Sequence, residues 1–272
     1  MLGRAVGSCS CIVALSGAGC GRIGYDAVTD AGAETDAAVD AAVDAGPDPL
    51  LAGCVLYQHM DEPSWSGLSG EVGDACGDDD RGTATAGATT VASGVRGRAG
   101  EFSGGSSCVR IADRAGLHAG AALTISAWVF PTALDGSREF GIVSKRVDYG
   151  VAGEYSVFLW SGDHVYVDVD TENDRLNGSA VLVNDAWQQV TVVYDGAVAS
   201  DQRIRTYVDG ALDVIATETS ATATAFATDL YVGCLPLGMP AQAFVGKLDE
   251  IVIWTRALSP AEVGAWYQQT RP

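Results

Sequence analysis

The sequence predicts an all-β protein: a two-sheet antiparallel jelly-roll sandwich with a short C-terminal helix. Three observations predict it. From residue 51 onward, short apolar runs recur with turn residues between them, among them "CVLYQHM", "CVRIA", "LTISAWVF", "FGIVSK", "EYSVFLW", "HVYVDVD", "WQQVTVVYD", "RIRTYVDG" and "DLYVG". Many alternate with period two, the repeat of a strand with one buried face. No segment of helical period and length occurs before residue 259, so the strand–helix–strand rhythm of a parallel sheet is missing. More than 200 residues of short strands and Gly-rich turns suit two packed antiparallel sheets.

The chain opens with "MLGRAVGSCSCIVALSGAGC". Arg4, a weak apolar stretch and small residues before Cys20 have the order of an export signal. A cysteine after small residues resembles a bacterial lipoprotein signal, which implies a diacylated Cys20 after removal of the preceding segment. That pattern prefers Leu three places before the cysteine; here Gly17 stands there and Leu15 lies two further back. An ordinary cleaved signal peptide is the alternative. Residues 1–20 are therefore expected to direct export, to the outer membrane or cell surface as a lipoprotein, or to secretion.

Residues 21–50 hold seven acidic residues and one arginine. Asp36, Asp40, Asp44 and Asp48 repeat every four residues, which on a helix would stack like charges. Residues 26–49, charged and without large apolar side chains to pack, give the stretch the character of a solvated, self-repelling tether. A calcium-binding repeat is the functional alternative, although a flexible run lacks a fixed cage of oxygens.

The folded domain is expected over residues 51–272. Val165, Val167 and Val169 point to one face of their strand, Tyr166, Asp168 and Asp170 to the other. Ile204, Thr206 and Val208 alternate with Arg203, Arg205 and Tyr207, and Asp209-Gly210 marks a two-residue hairpin turn. Near the end, "VGKLDEIVIW" is apolar on both faces, with Leu248, Val252 and Trp254 on one and Ile251 and Ile253 on the other, as in a covered strand. Ser259, Pro260 and Glu262 form a capping box for a short helix, from which Trp266 can reach the sandwich.

The stretch "FVGKLDEIVIWTRALSPAEV" resembles the C-terminal signature of laminin-G-like, concanavalin-A-like lectin/glucanase domains. "YQHMDE", "GRAGEFSGGSSCVRI", "LTISAWVFP", "GIVSKR", "WQQVTVVYDG", "TYVDG" and "LYVG" agree in order, so the resemblance covers about residues 54–268. It implies a jelly roll whose first and last strands pair. It also places Trp128 and Trp254 in the framework. Glucanases of this fold carry a Glu-x-Asp-x-x-Glu strand motif, which sets two carboxylates on one face as nucleophile and acid. This sequence has no such motif. Its nearest imitation, Asp168, Asp170 and Glu172 in "DVDTEND", reads as a solvent-facing or cation-binding edge, and Asn173 occupies the glycine position of an EF-hand loop. A non-catalytic binding module is the expected function, with a glycoside hydrolase or a structural envelope protein as alternatives.

Calcium is the cofactor the acidic motifs suggest, because laminin-G-like domains often carry one. Asp61 and Glu62 near the start would meet Asp249 and Glu250 near the end if the terminal strands pair. Asp74 with Asp78, Asp79 and Asp80 forms a second acidic cluster. Zinc is not expected: there is no Cys-x-x-Cys, and His59, His118 and His164 are scattered. Of the seven cysteines, Cys54, Cys76, Cys108 and Cys234 lie in the domain, an even number suited to disulfides in an exported protein. Three pairings are possible; Cys76 with Cys108 and Cys54 with Cys234 are the expected ones.

The formal net charge of −19 argues against nucleic acid and anionic membranes as partners. No stretch has the ~20 apolar residues of a membrane span, so membrane contact is expected only through the lipid anchor. A glycan or a cell-surface protein remains. Trp160 ends a strand before the "SGD" turn, with Tyr166 across the hairpin. With Asp168, Arg205 and Tyr207 it could form a polar-aromatic face, where sugar rings stack on aromatics and hydroxyls meet charged groups. Ordinary dressing of an outer sheet is the alternative.

Overall fold

The computed structural model describes residues 48–76, 80–147, 153–170, 176–236 and 242–272. Residues 46–272 belong to one unit. Its strands, in chain order, are β1 (Cys54–Gln58), β2 (Gly82–Ala84), β3 (Ala88–Val91), β4 (Ala99–Ser103), β5 (Val109–Ile111), β6 (Ala122–Pro131), β7 (Phe140–Lys145), β8 (Tyr155–Trp160) and β9 (His164–Val169). They continue as β10 (Leu176–Val181), β11 (Gln188–Asp195), β12 (Ile204–Val208), β13 (Ala211–Ala216), β14 (Leu230–Val232), β15 (Cys234–Leu235), β16 (Gln242–Ala243) and β17 (Val245–Trp254). One α-helix, α1 (Pro260–Thr270), follows.

The strands build the expected two-sheet sandwich. The first sheet runs β13-β12-β11-β6-β17-β4-β3, with β1 paired to β17. The second runs β10-β9-β8-β7-β14-β5-β2, and the short β15–β16 ladder stands apart. All described pairings are antiparallel. The core lies between the inner faces: Leu123, Ile125, Ala127 and Val129 of β6 meet Val157 and Leu159 of β8 and Val165, Val167 and Val169 of β9 in one buried cluster. The period-two pattern of β9 is thus resolved as read, with valines inward and Tyr166 and Asp168 outward.

Asp209 and Gly210 make the tight turn between β12 and β13 with φ of 51° and 72°, as a primed two-residue hairpin demands. The first and last strands do pair: Tyr57 stands opposite Val252 and Gln58 opposite Ile251. The face assignment within β17 differs from the alternation. A bulge lies between Asp249 and Val252, where Glu250 takes φ 50°. One extra residue shifts the phase, so Leu248 joins Ile251 and Ile253 in the core. Val252 and Trp254 turn outward and pack with Tyr57, Val193, Tyr207, Leu258, Val263 and Trp266.

That second cluster exists because α1 covers the outer face of the first sheet. Its capping box forms as expected: Ser259 Oγ accepts from the Glu262 N–H at 3.3 Å, and Glu262 Oε2 accepts from the Ser259 N–H at 2.8 Å. Trp266 lies edge-on to Trp254 at 5.3 Å between ring centroids. At the helix end, the Thr270 hydroxyl accepts from Trp128 Nε1 at 3.1 Å and Gln189 Nε2 at 2.9 Å. The buried indole and amide donors of the sheet are thereby satisfied by the helix.

The disulfide pairing is corrected. Cys54 bonds Cys76 and Cys108 bonds Cys234, with Cα–Cα distances of 5.8 and 5.5 Å. The chain after β1 folds back along it, the Ala75 N–H donating to Tyr57 O at 2.8 Å, which sets Cys76 beside Cys54. Cys108 precedes β5 and Cys234 follows β14, and those two strands are neighbours. Cys54–Cys234 and Cys76–Cys108 therefore do not form: each would join segments that the sheets keep apart.

Candidate functional site

The hairpin β8–β9 positions the site. Its outward side chains are Ser156, Phe158 and Trp160 on β8 and His164, Tyr166 and Asp168 on β9. Phe158 and Tyr166 face each other across the strands and stack at 5.5 Å, while Trp160 lies 5.2 Å from Tyr166. Leu235, on β15, packs against Phe158 and Tyr166 and buries both. Trp160 is left half-buried at the end of this stripe.

Trp160 opens onto a groove of about 490 Å³ at the rim of the sandwich. Its walls come from the β4–β5 turn (Gly104, Gly105), the loop before β7 (Ser137, Arg138, Glu139) and the strands β16 and β17 (Gln242, Val245). The Arg138 guanidinium sits 5.1 Å over the Phe140 ring and donates to Ala133 O at 3.1 Å. An indole, a guanidinium, an amide, a hydroxyl and one carboxylate thus line one concave space among the described residues. Such a set can stack the apolar face of a ring and hydrogen-bond its hydroxyls. Glu139 is the one acidic group among the described lining residues; glycoside hydrolysis uses a pair of carboxylates.

The five residues expected to form one polar-aromatic face do not converge. Trp160 and Tyr166 do meet. Asp168 shares their face but is 2 % exposed, held by the Ser156 hydroxyl at 3.2 Å and the Arg146 guanidinium at 3.3 Å. Arg205 and Tyr207 belong to the other sheet. Arg205 lies 3.4 Å from Asp195. Tyr207 is buried in the cluster with Trp266, and burial raises its phenol pKa. Alternation identified outward side chains correctly, yet it does not reveal which strands share a sheet. Arg138, Glu139 and Gln242 were missed because nothing in "GSREF" or around residue 242 distinguishes a groove wall from a solvated turn.

The carboxylates proposed for calcium are committed to protein donors. Asp249 Oδ2 accepts from the N–H groups of Val95 at 2.7 Å and Arg96 at 3.1 Å, and Oδ1 from its neighbour Glu250 at 2.9 Å. Burial nevertheless pushes its carboxyl up to about 8, with the adjacent Glu250 adding to the shift and the N–H donors opposing it. Glu250 accepts from the Tyr57 hydroxyl and meets His59 Nδ1 at 2.9 Å. The Glu250 hydrogen bond raises the His59 pKa against the effect of burial. Asp61 takes the Arg98 N–H at 2.6 Å; Glu62 takes the Gly73 N–H at 2.6 Å and Trp65 Nε1 at 3.0 Å. In the acidic loop, Asp74 accepts from the N–H groups of Tyr57, Cys76 and Asp80, while Asp78 and Asp79 lie outside the described residues. Asp170 accepts from Ser220 and Thr224; Glu172 and Asn173 also lie outside. Among the described residues, no three His, Cys, Asp or Glu side chains are grouped to hold a metal ion. Glu250 ties the last strand to Tyr57 and His59 of the first-strand region, whereas Asp249, Asp61 and Glu62 hold the loops around residues 95–98 and 73; committed to these different donors, the four carboxylates do not fit a shared calcium cage. Cys20 and residues 21–47 lie outside the described residues as well.

The two antiparallel sheets and the helix covering one of them define a jelly-roll sandwich. A family model described as the concanavalin A-like lectin/glucanases superfamily matches residues 103–264, more than half of the chain, and the chain belongs to that superfamily. No curated protein matches it by sequence. Among solved structures, it is similar to the binding domain of Paraclostridial Mosquitocidal Protein 1, with 13% identity and a TM-score of 0.61 over 81% of this chain and 53% of that one. It is also similar to domain 4 of AbnA, a GH43 extracellular arabinanase from Geobacillus stearothermophilus in complex with arabinotriose (19% identity, TM-score 0.57, 79% of this chain and 98% of that one). A third is a botulinum neurotoxin type C structure described by its interaction with two ganglioside molecules (10% identity, TM-score 0.57, 82% and 52%). The chain spans about half the length of the two toxin chains. At these identities the likeness is one of fold.

Proposed function

We propose that this protein is an exported, surface-anchored, non-catalytic module that binds carbohydrate in the groove beside Trp160. The observation that carries the reading is the half-buried indole at the end of an aromatic stripe, lining one groove with Arg138, Gln242 and, among the described residues, a single carboxylate. It supplies stacking and hydroxyl recognition without the two acids that cleavage needs. Support comes from the similar structures, two of which are described with an oligosaccharide or gangliosides. Export is supported by two disulfides, which persist in oxidising compartments. Anchoring through Cys20 rests on the sequence, and mass spectrometry of the mature N-terminus tests it: a diacylated Cys20 is expected, an unmodified later terminus refutes it.

The test of binding is calorimetry against arabino-, xylo-, cello- and manno-oligosaccharides, with product analysis in parallel. Binding without products is expected, and Trp160→Ala should weaken it about tenfold, or ~1.4 kcal/mol. Cleavage products, or no binding to any of the four series, would overturn the reading.

A further inference from the structure

A second groove, of about 400 Å³, lies on the outer face of the first sheet and shares Val245 with the Trp160 groove. Thr89, Glu101 and Lys247 line it, and they belong to a row of side chains that crosses four strands in register and continues beside the groove to Phe130. Thr89 of β3 stands opposite Glu101 of β4, Glu101 opposite Lys247 of β17, and Lys247 opposite Phe130 of β6. At the usual strand spacing the row is about 14 Å long. Thr89 and Glu101 are exposed, and Lys247 and Phe130 half-exposed. The Lys247 ammonium is held 4.0 Å over the Phe130 ring and bonds Ser93 Oγ at 3.1 Å. Trp187 closes the row, edge-on to Phe130 at 5.4 Å.

The chemistry of this row is that of a polyol site. A hydroxyl, a carboxylate acceptor, an ammonium donor and two aromatic rings follow one another at strand spacing. The opposite charges of Glu101 and Lys247 give no net preference for an ionised ligand. Resting on the carbohydrate reading of the Trp160 groove, we infer that the ligand is an extended neutral oligosaccharide. It lies in both grooves, passing Val245 from Trp160 to the Glu101–Lys247–Phe130 row. A single sugar unit or a short disaccharide would fill only the first.

The experiment is calorimetry of the full chain against the biose, triose and hexaose of the same four oligosaccharide series. For a series that binds, affinity should rise at least about tenfold from biose to hexaose. Lys247→Ala and Glu101→Gln should each lower hexaose affinity about fivefold and leave biose affinity unchanged. Thermal melts of both variants should match the unmodified protein, since neither side chain is in the core. Equal affinity for biose and hexaose, or unchanged hexaose affinity in both variants, would overturn the extended site while leaving the Trp160 groove standing. No binding by any series would overturn both.

Discussion

Replacing Trp266 with alanine should cost about 3–5 kcal/mol, the range for deleting a buried large aromatic side chain. Trp266 is 1 % exposed, with Trp254 at 5.3 Å and Tyr57 at 5.7 Å, both edge-on. Those aromatic pairs contribute roughly 0.5–1.5 kcal/mol each beyond the area they bury. The helix has an alternative to tolerating a cavity, because it ends the described fold and can lift off. Lifting off would expose Val263 and strip Trp128 Nε1 and Gln189 Nε2 of their shared acceptor, Thr270. The cost should therefore stay in the upper part of the range. Trp266→Phe is the control. The indole Nε1 has no hydrogen-bond partner among the described residues, so removing it forfeits no bond, and the phenyl ring keeps most of the packing. Its cost should stay below about 1.5 kcal/mol. Urea unfolding followed by far-UV circular dichroism measures both. A loss below about 1 kcal/mol for Trp266→Ala would refute the claim that α1 seals the outer face of the first sheet.

Two further outcomes follow from the same structure. Non-reducing peptide mapping should find Cys54–Cys76 and Cys108–Cys234 and no free thiol among the four; breaking the second, whose ends lie 126 positions apart in sequence against 22, should be the costlier change, nearer about 5 than about 3 kcal/mol, and an equal or reversed order would contradict the loop argument. Stability should fall as pH rises through the neutral range. The folded chain keeps a proton on Asp249 up to about 8 that the unfolded chain releases near pH 4, and His59 with its raised pKa keeps its own proton beyond 6.5. Both groups thus favour the folded state on the acid side and lose that advantage as they deprotonate. Asp249→Asn should flatten the profile between about pH 5 and 8, and an unchanged slope would show that this carboxyl is ionised throughout.

The fold was legible where one local signal had one structural meaning. Ser259, Pro260 and Glu262 announced α1, Asp209-Gly210 announced the β12–β13 turn, and the valines of β9 announced a buried face. Legibility failed where the answer lay in long-range pairing. A single residue of left-handed backbone at Glu250 moved Leu248 to the core face, and no alternation count detects an inserted residue. Arg205 and Tyr207 looked like Trp160 and Tyr166, outward on an alternating strand, but sheet membership separates them and α1 covers Tyr207. Of the acidic pairs at the two ends of the domain, Asp61, Asp249 and Glu250 all act on His59. Their oxygens are used by backbone N–H groups, Tyr57 and His59, a use that composition cannot distinguish from metal binding. Trp160 was legible as a candidate because it ended its strand; Arg138, Glu139 and Gln242 were not, because loop positions carry no periodicity to read.

Carbohydrate binding at the Trp160 groove can be seen directly. The most direct measurement is a crystal structure of the protein with a hexaose from the series that binds in calorimetry. A sugar ring should stack on Trp160, with hydroxyls within hydrogen-bond distance of Arg138 or Gln242. A sugar bound elsewhere with the groove empty, for instance in the hollow lined by His59, Asp61 and Asp74, would contradict it.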